Sequence, residues 1–138
     1  MIRIVMDAFG GDNAPAAVVE GAVQALAEFD DIAIILSGRE DAIKAELNKY
    51  SYDSARMSIL DANEVIDCHD QPTVAVKRKK DSSMVKALQL VADAGAECVV
   101  SAGSTGALLT GATLIVRRIK GVKRPALAPL LPTRTGSW

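Results

Sequence analysis

The sequence is poor in the residues that build common metal and redox sites. It holds two cysteines, Cys68 and Cys98, and one histidine, His69, in 138 residues. That set supplies neither a disulfide framework nor a metal-type spacing, so no metal site is expected and a reducing cytoplasm is the simple reading. Cys98 stands in an apolar run with Val99 and Val100 and is expected in the core. Aromatic residues make up only 4% of the chain, and the net charge is −1. The chain therefore lacks the broad basic field of a general nucleic-acid binder. No apolar run is long enough to span a bilayer, and Ile2 to Met6 reads as a strand, too short and wrongly flanked for a signal peptide.

What is present is a soluble, globular composition: 49% hydrophobic, 24% charged, with Ala, Val, Ile and Leu dominant. Such residues suit helices packed on a buried parallel sheet. Strand and helix patterns alternate along the chain. Strands are expected at Ile2–Asp7, Ile32–Leu36, Met57–Leu60 and Cys98–Ser101. Helices are expected from Pro15, with Val18, Val19, Ala22, Val23 and Leu26 on one face, over Asp41–Tyr50, and from Ser82 to Gly95. A last helix follows Gly106, with a stripe of Leu108, Leu109, Ala112, Ile115, Val116 and Ile119 and a stop at Gly121. Thr73 to Val76 alternates like a strand, yet Pro72 also suits a helix start, so that segment stays open. The stretch from Arg124 to Thr133 reads as a connection or a proline-bounded strand. The chain then ends through Thr135, Gly136, Ser137 and Trp138 with no closing helix, as though cut.

Repeated alternation of this kind implies right-handed crossovers and a mainly parallel sheet, which binds ligands beyond the carboxyl ends of its strands. Three segments there carry candidate chemistry. Gly103-Ser104-Thr105-Gly106 joins two glycines and two hydroxyls to a helix start, a pattern that cradles an anion or simply caps a helix. In Asp7-Ala8-Phe9-Gly10-Gly11-Asp12-Asn13-Ala14-Pro15, paired glycines allow close ligand approach and Asp7 and Asp12 can orient a donor or a loop. The plainer alternative is a turn in which Asp12 or Asn13 caps the helix. In Arg78-Lys79-Lys80-Asp81-Ser82-Ser83-Met84, cations precede a serine-capped helix start, which fits either phosphate attraction or a solvated basic face.

Other chemistries lack their signatures. There is no P-loop, no Gly-x-Gly-x-x-Gly after the first strand and no Gly-x-Ser-x-Gly elbow, and Ser37-Gly38-Arg39 ends the second strand without the expected acid. A Ser-His-Asp site would have His69 as its one possible base.

Taken in order, the three segments, with Ser101, Ala102 and Ala107 around the third, then Arg124-Pro125-Ala126-Leu127 and Leu131-Pro132, resemble the phosphate acyltransferase family of bacterial phospholipid synthesis. The resemblance covers essentially the whole chain at the family's spacing, with Phe9 where the family usually has Met and Ser104 where it usually has Asn. It corresponds to less than half of the family's usual length. The resemblance implies that residues 1–138 are the N-terminal part of a single α/β acyltransferase domain. That domain would be a three-layer α/β/α fold, isopropylmalate-dehydrogenase-like and incomplete at its C-terminus, with no cofactor. It implies transfer of an acyl group from acyl carrier protein to inorganic phosphate, giving acyl phosphate. It further implies a cytoplasmic homodimer with peripheral membrane association through the C-terminal part. The residues expected to act are Asp7, Asp12, Ser83 and Thr105, with Gly10, Gly11, Arg78, Lys79, Ser82, Gly103, Ser104 and Gly106 binding phosphate or substrate. An enzyme of the phosphotransacetylase kind acting on acyl-coenzyme A, and a non-catalytic module for a phosphorylated ligand, are the alternatives.

Overall fold

A computed structural model describes residues 1–128, 130, 132–134 and 136–137. Strands β1 (Ile2–Asp7), β2 (Ile32–Gly38), β3 (Met57–Asp61) and β4 (Cys98–Val100) form one parallel sheet in the order β3-β2-β1-β4. Helices α1 (Ala16–Glu28) and α2 (Glu40–Leu47) link the first three strands; α3 (Pro72–Arg78) and α4 (Ser83–Ala92) lead into β4. Helix α5 (Thr105–Gly111) follows β4 and runs on as a π-helical turn over Ala112–Val116.

Side chains alternate across the sheet with a period of two, and the alternation builds three layers. Ile32, Ile34 and Leu36 of β2 pack with Val19, Ala22 and Leu26 of α1 and Ile43 and Leu47 of α2. On the opposite face Val5, Ile35 and Val99 meet Ala87, Leu90 and Val91 of α4. A third cluster joins α3, α4 and α5 through Val76, Met84, Leu88 and Ala107. The first two crossovers carry the chain from β1 to β3 with their helices on one face. The third returns it past β1 with α4 on the other face, because parallel crossovers keep one hand. Strand order therefore reverses between β1 and β4, and the ends of those strands are the switch point.

The open segment after Pro72 is helical: Pro72 occupies the first turn of α3, and Ala75 and Val76 are buried. Three sequence expectations are corrected. Cys98 is exposed rather than core, because β4 is an edge strand. Its Val99 faces α4, while Cys98 and the half-exposed Val100 turn to the opposite face, where α1 and α2 pack chiefly on β1 and β2 and leave this edge open. The last helix ends at Val116, not Gly121: the Arg117 N–H donates to the Ala112 carbonyl at 2.8 Å and Arg117 takes φ 74°, leaving Ile119 81% exposed. Helix α1 receives no side-chain cap from Asp12 or Asn13; the Asn13 carbonyl accepts the Ala17 N–H at 3.0 Å instead. Pro132–Thr133 and Gly136–Ser137 form a short antiparallel pair, β5 and β6. Pro129 and Leu131 of the expected connection, and Thr135 and Trp138 of the closing segment, lie outside the described residues.

Candidate functional site

The site is built where β1 and β4 stop. Asp7, the last residue of β1, is 3% exposed. Its carbonyl accepts the Gly10 N–H at 3.2 Å and its Oδ1 accepts the Phe9 N–H at 3.3 Å, which folds the chain sharply after the strand. Gly11 follows with φ +96°, a conformation that side-chain-bearing residues rarely take. The Phe9 ring packs on Gly38 at the end of β2, and the Arg39 guanidinium lies 5.0 Å from the ring centroid. Phe9 thus fills its place in the first turn by packing.

The turn after β4 meets this one directly. Ser101 Oγ donates to Asp7 Oδ2 at 2.8 Å and accepts the Gly103 N–H at 3.1 Å. Ser104 caps α5, its Oγ accepting the Ala107 N–H at 3.3 Å. The Thr105 and Gly106 amides belong to the first turn of α5, which has no intrahelical acceptors to offer them. Among the described residues nothing else accepts from them.

Between the turns lies a cleft of about 350 Å³, lined by Phe9, Gly11, Asp12, Val65, Ile66, Asp67, Cys68, Ala102, Gly103, Ser104 and Thr105. A second hollow of about 290 Å³ opens behind it, against Met6, Asp7, Gly10, Val18 and Val100. The structure therefore brings together Gly11, Asp12, Gly103, Ser104 and Thr105 from two distant segments, with Asp7 and Gly10 directly beneath. Gly106 sits at the α5 start against Pro72 of α3.

The third segment contributes differently. Ser82 is buried and caps α4, its Oγ accepting the Val85 N–H and donating to the Lys79 carbonyl. Ser83 is 1% exposed, and its carbonyl accepts the Ser37 hydroxyl at 2.8 Å. Neither lines the cleft. Lys79 is paired with Asp70, whose carboxyl it holds below the ordinary carboxylate range, and donates to the Val65 carbonyl at 2.9 Å. It braces the cleft wall instead of facing into the cleft. Arg78 is exposed on the last turn of α3 and does not line the cleft either. The described lining thus contains no cation and two acids, Asp12 and Asp67.

Sequence reasoning missed the wall formed by Val65 to Cys68, since an irregular loop carries no periodic signal. It also gave no role of its own to Ser101. The signal for Ser101 was present: two residues beyond Val99 it falls on the α4 side of the sheet, in step with Asp7, two residues beyond Val5. Asp67, Cys68 and His69, separated in the sequence from every other cysteine and histidine, place one donor atom each within 4.8 Å of one another on an exposed turn. Asp67 is already engaged there, accepting the His69 N–H at 2.9 Å.

The arrangement offers open amides and hydroxyls around a concave site at a sheet switch point, suited to a small anion. Comparison with known proteins agrees in family. Residues 2–138 match the family described as "Fatty acid synthesis protein". The chain belongs to this family. A protein named phosphate acyltransferase from Clostridium perfringens (strain SM101 / Type A) is 58% identical over 137 residues, covering 99% of this chain and 40% of that protein. One of the same name from Clostridium botulinum (strain Alaska E43 / Type E3) is 54% identical over 137 residues, 41% of its length. Another from Clostridium kluyveri (strain NBRC 12016) is 54% identical over 135 residues, covering 98% of this chain and 40% of its own. The chain spans about 40% of the length of the curated relatives it matches. Membership of the family, the α/β fold and the N-terminal position of the match all agree with the resemblance. No helix among the described residues is long and apolar enough to cross a membrane.

Proposed function

We propose that the protein to which this chain belongs is a phosphate acyltransferase, and that the cleft between the β1–α1 and β4–α5 turns holds its inorganic phosphate. The observation that carries this reading is the convergence of Gly11, Asp12, Gly103, Ser104 and Thr105 on one cleft at the switch point, beside the open amides of α5. The relatives' shared name supports the reaction class.

With no cation in the described lining, the phosphate is held by amides and hydroxyls, and Thr105 and Ser104 are its nearest side-chain partners. Asp12 orients the protonated edge of the phosphate, and Asp7 holds the two turns in place from beneath. A phosphate oxygen attacks the thioester carbonyl, the C–S bond breaks, and the thiolate leaves and takes up a proton. The phosphate is itself the nucleophile, so no acyl-enzyme is needed. The protein's contribution is to position phosphate and thioester and to stabilise the tetrahedral oxyanion. Acyl carrier protein is the proposed acyl donor, the product feeds phospholipid synthesis, and the working protein is a cytoplasmic homodimer that associates peripherally with the membrane. Ser82 and Ser83 enter this account as residues that fix α4, and Lys79 as the brace of the cleft wall.

The test is phosphate-dependent acyl phosphate formation by the full-length protein, with carrier-protein and coenzyme A thioesters compared as donors. Thr105→Ala is expected to raise the phosphate KM about tenfold or more, as loss of one hydrogen bond to a charged ligand does. Turnover of the coenzyme A thioester alone moves the donor to the phosphotransacetylase kind. Saturable phosphate binding without turnover of either donor makes the protein a binding module.

A further inference from the structure

Asp7 and Ser101 are 94 residues apart in sequence, yet one hydroxyl joins the two turns of the cleft. Ser101 Oγ has both its roles filled: it donates to the buried Asp7 carboxylate and accepts the Gly103 N–H. The acceptor role matters for what lies beyond. It turns the Gly103 amide inward, away from a ligand, and so sets the peptide planes that carry Ser104, Thr105 and Gly106 toward the cleft and the α5 start. Gly10 lies over the same junction: a β-carbon there would stand 2.8 Å from Ser101 Oγ and 2.9 Å from Asp7 Oδ2. No apolar residue can replace this hydroxyl without leaving a buried carboxylate oxygen and an inward amide unpaired.

We infer that Ser101 is a positioning residue for the phosphate site, acting through Asp7 and the Gly103 amide and not by touching substrate. The inference rests on the reading of the cleft as the phosphate site. It separates the two hydroxyl classes of the β4–α5 turn: Ser104 and Thr105 line the cleft, whereas Ser101 fixes the frame that carries them.

The experiment compares Ser101→Ala, Ser101→Thr and Thr105→Ala in the full-length protein, measuring KM for phosphate, KM for the acyl donor, kcat and the thermal midpoint. Ser101→Ala is expected to raise the phosphate KM about tenfold or more while the acyl-donor KM stays within about twofold. Ser101→Thr keeps the hydroxyl and is expected to restore most of the phosphate affinity. If Ser101→Ala does not fold, Ser101→Cys, with its weak and longer hydrogen bonds, takes its place with the same expectation. An unchanged phosphate KM in the Ala or Cys variant, beside a raised one in Thr105→Ala, overturns the positioning role and leaves the phosphate cleft standing. Unchanged values in both remove the phosphate reading too. An equal rise in both KM values, or a Thr variant no better than Ala, makes Ser101 a general structural residue and overturns the inference.

Discussion

Gly10 and Gly103 meet backbone to backbone: a β-carbon on Gly10 would stand 2.8 Å from the Gly103 amide nitrogen. The contact brings the first and last strand-to-helix turns close enough to share one cleft. Its consequence is steric. Gly10→Ala forces two backbones apart in a fixed junction, at a cost of about 1–3 kcal/mol. The thermal midpoint of the full-length protein is expected to fall and its phosphate KM to rise together, since both depend on the same contact.

Ser37 makes a contrasting prediction. Its buried hydroxyl donates to the Ser83 carbonyl, tying β2 to the start of α4 on the face below the site. Ser37→Ala is expected to cost about 1–2 kcal/mol of stability, as loss of a buried hydrogen bond does. It should leave the phosphate KM unchanged, because neither partner lines the cleft. Denaturant unfolding and phosphate titration of the same variant check both halves.

The site's cysteine is accessible but sluggish. Partial desolvation, then the neighbouring Asp67, and more weakly Asp12, push the Cys68 thiol above its ordinary value. The reactive species is the thiolate, so Cys68 at neutral pH is alkylated more slowly than a free cysteine. Asp67→Asn is expected to speed the reaction severalfold, and rates followed by mass spectrometry of the Cys68 peptide measure it.

These contacts also show how far the residues alone reach. The strands, α1, α2 and α4 follow from period-two and helical spacing, and glycine turns after β1 and β4 on one sheet edge follow from parallel crossovers. Two of the three candidate segments do meet there. The third was harder to place because Ser82 and Ser83 have the chemistry of an anion site and of a helix cap alike, and only tertiary packing shows both buried. Lys79 has the charge to draw phosphate, but Asp70 lies nine residues upstream in an irregular loop, and no local pattern predicts their pairing. The end of α5 was misread because the Leu108-to-Ile119 stripe keeps helical spacing past the π turn, where Arg117 leaves the helix. Cys98 and Val100 are apolar enough for a core, and exposure at an edge strand depends on what flanks it.

The start of the sheet has its own pH signature. Glu97 pairs with Arg3 through the side chain at 2.7 Å and accepts the Arg3 N–H at 2.6 Å, and together these hold its carboxyl at about 2 against an ordinary 4.5. The folded value lies below the unfolded one, so the native state binds fewer protons between those values. The pair's contribution is present above about pH 4.5 and lost as pH falls toward 2. Both side chains are about half exposed, so the effect is small and salt-sensitive. Glu97→Gln is expected to narrow its stability gap from the native protein as pH drops through that window, a trend that thermal midpoints at stepped pH reveal.

The most direct test of the phosphate cleft follows backbone amide resonances of the ¹⁵N-labelled full-length protein as inorganic phosphate is added. Saturable shifts centred on Gly11, Thr105 and Gly106, weakened in Thr105→Ala and absent at distant amides such as Ile43, are the predicted result. Saturable phosphate binding that leaves those amides unmoved, with its shifts gathered on another surface, would contradict the account.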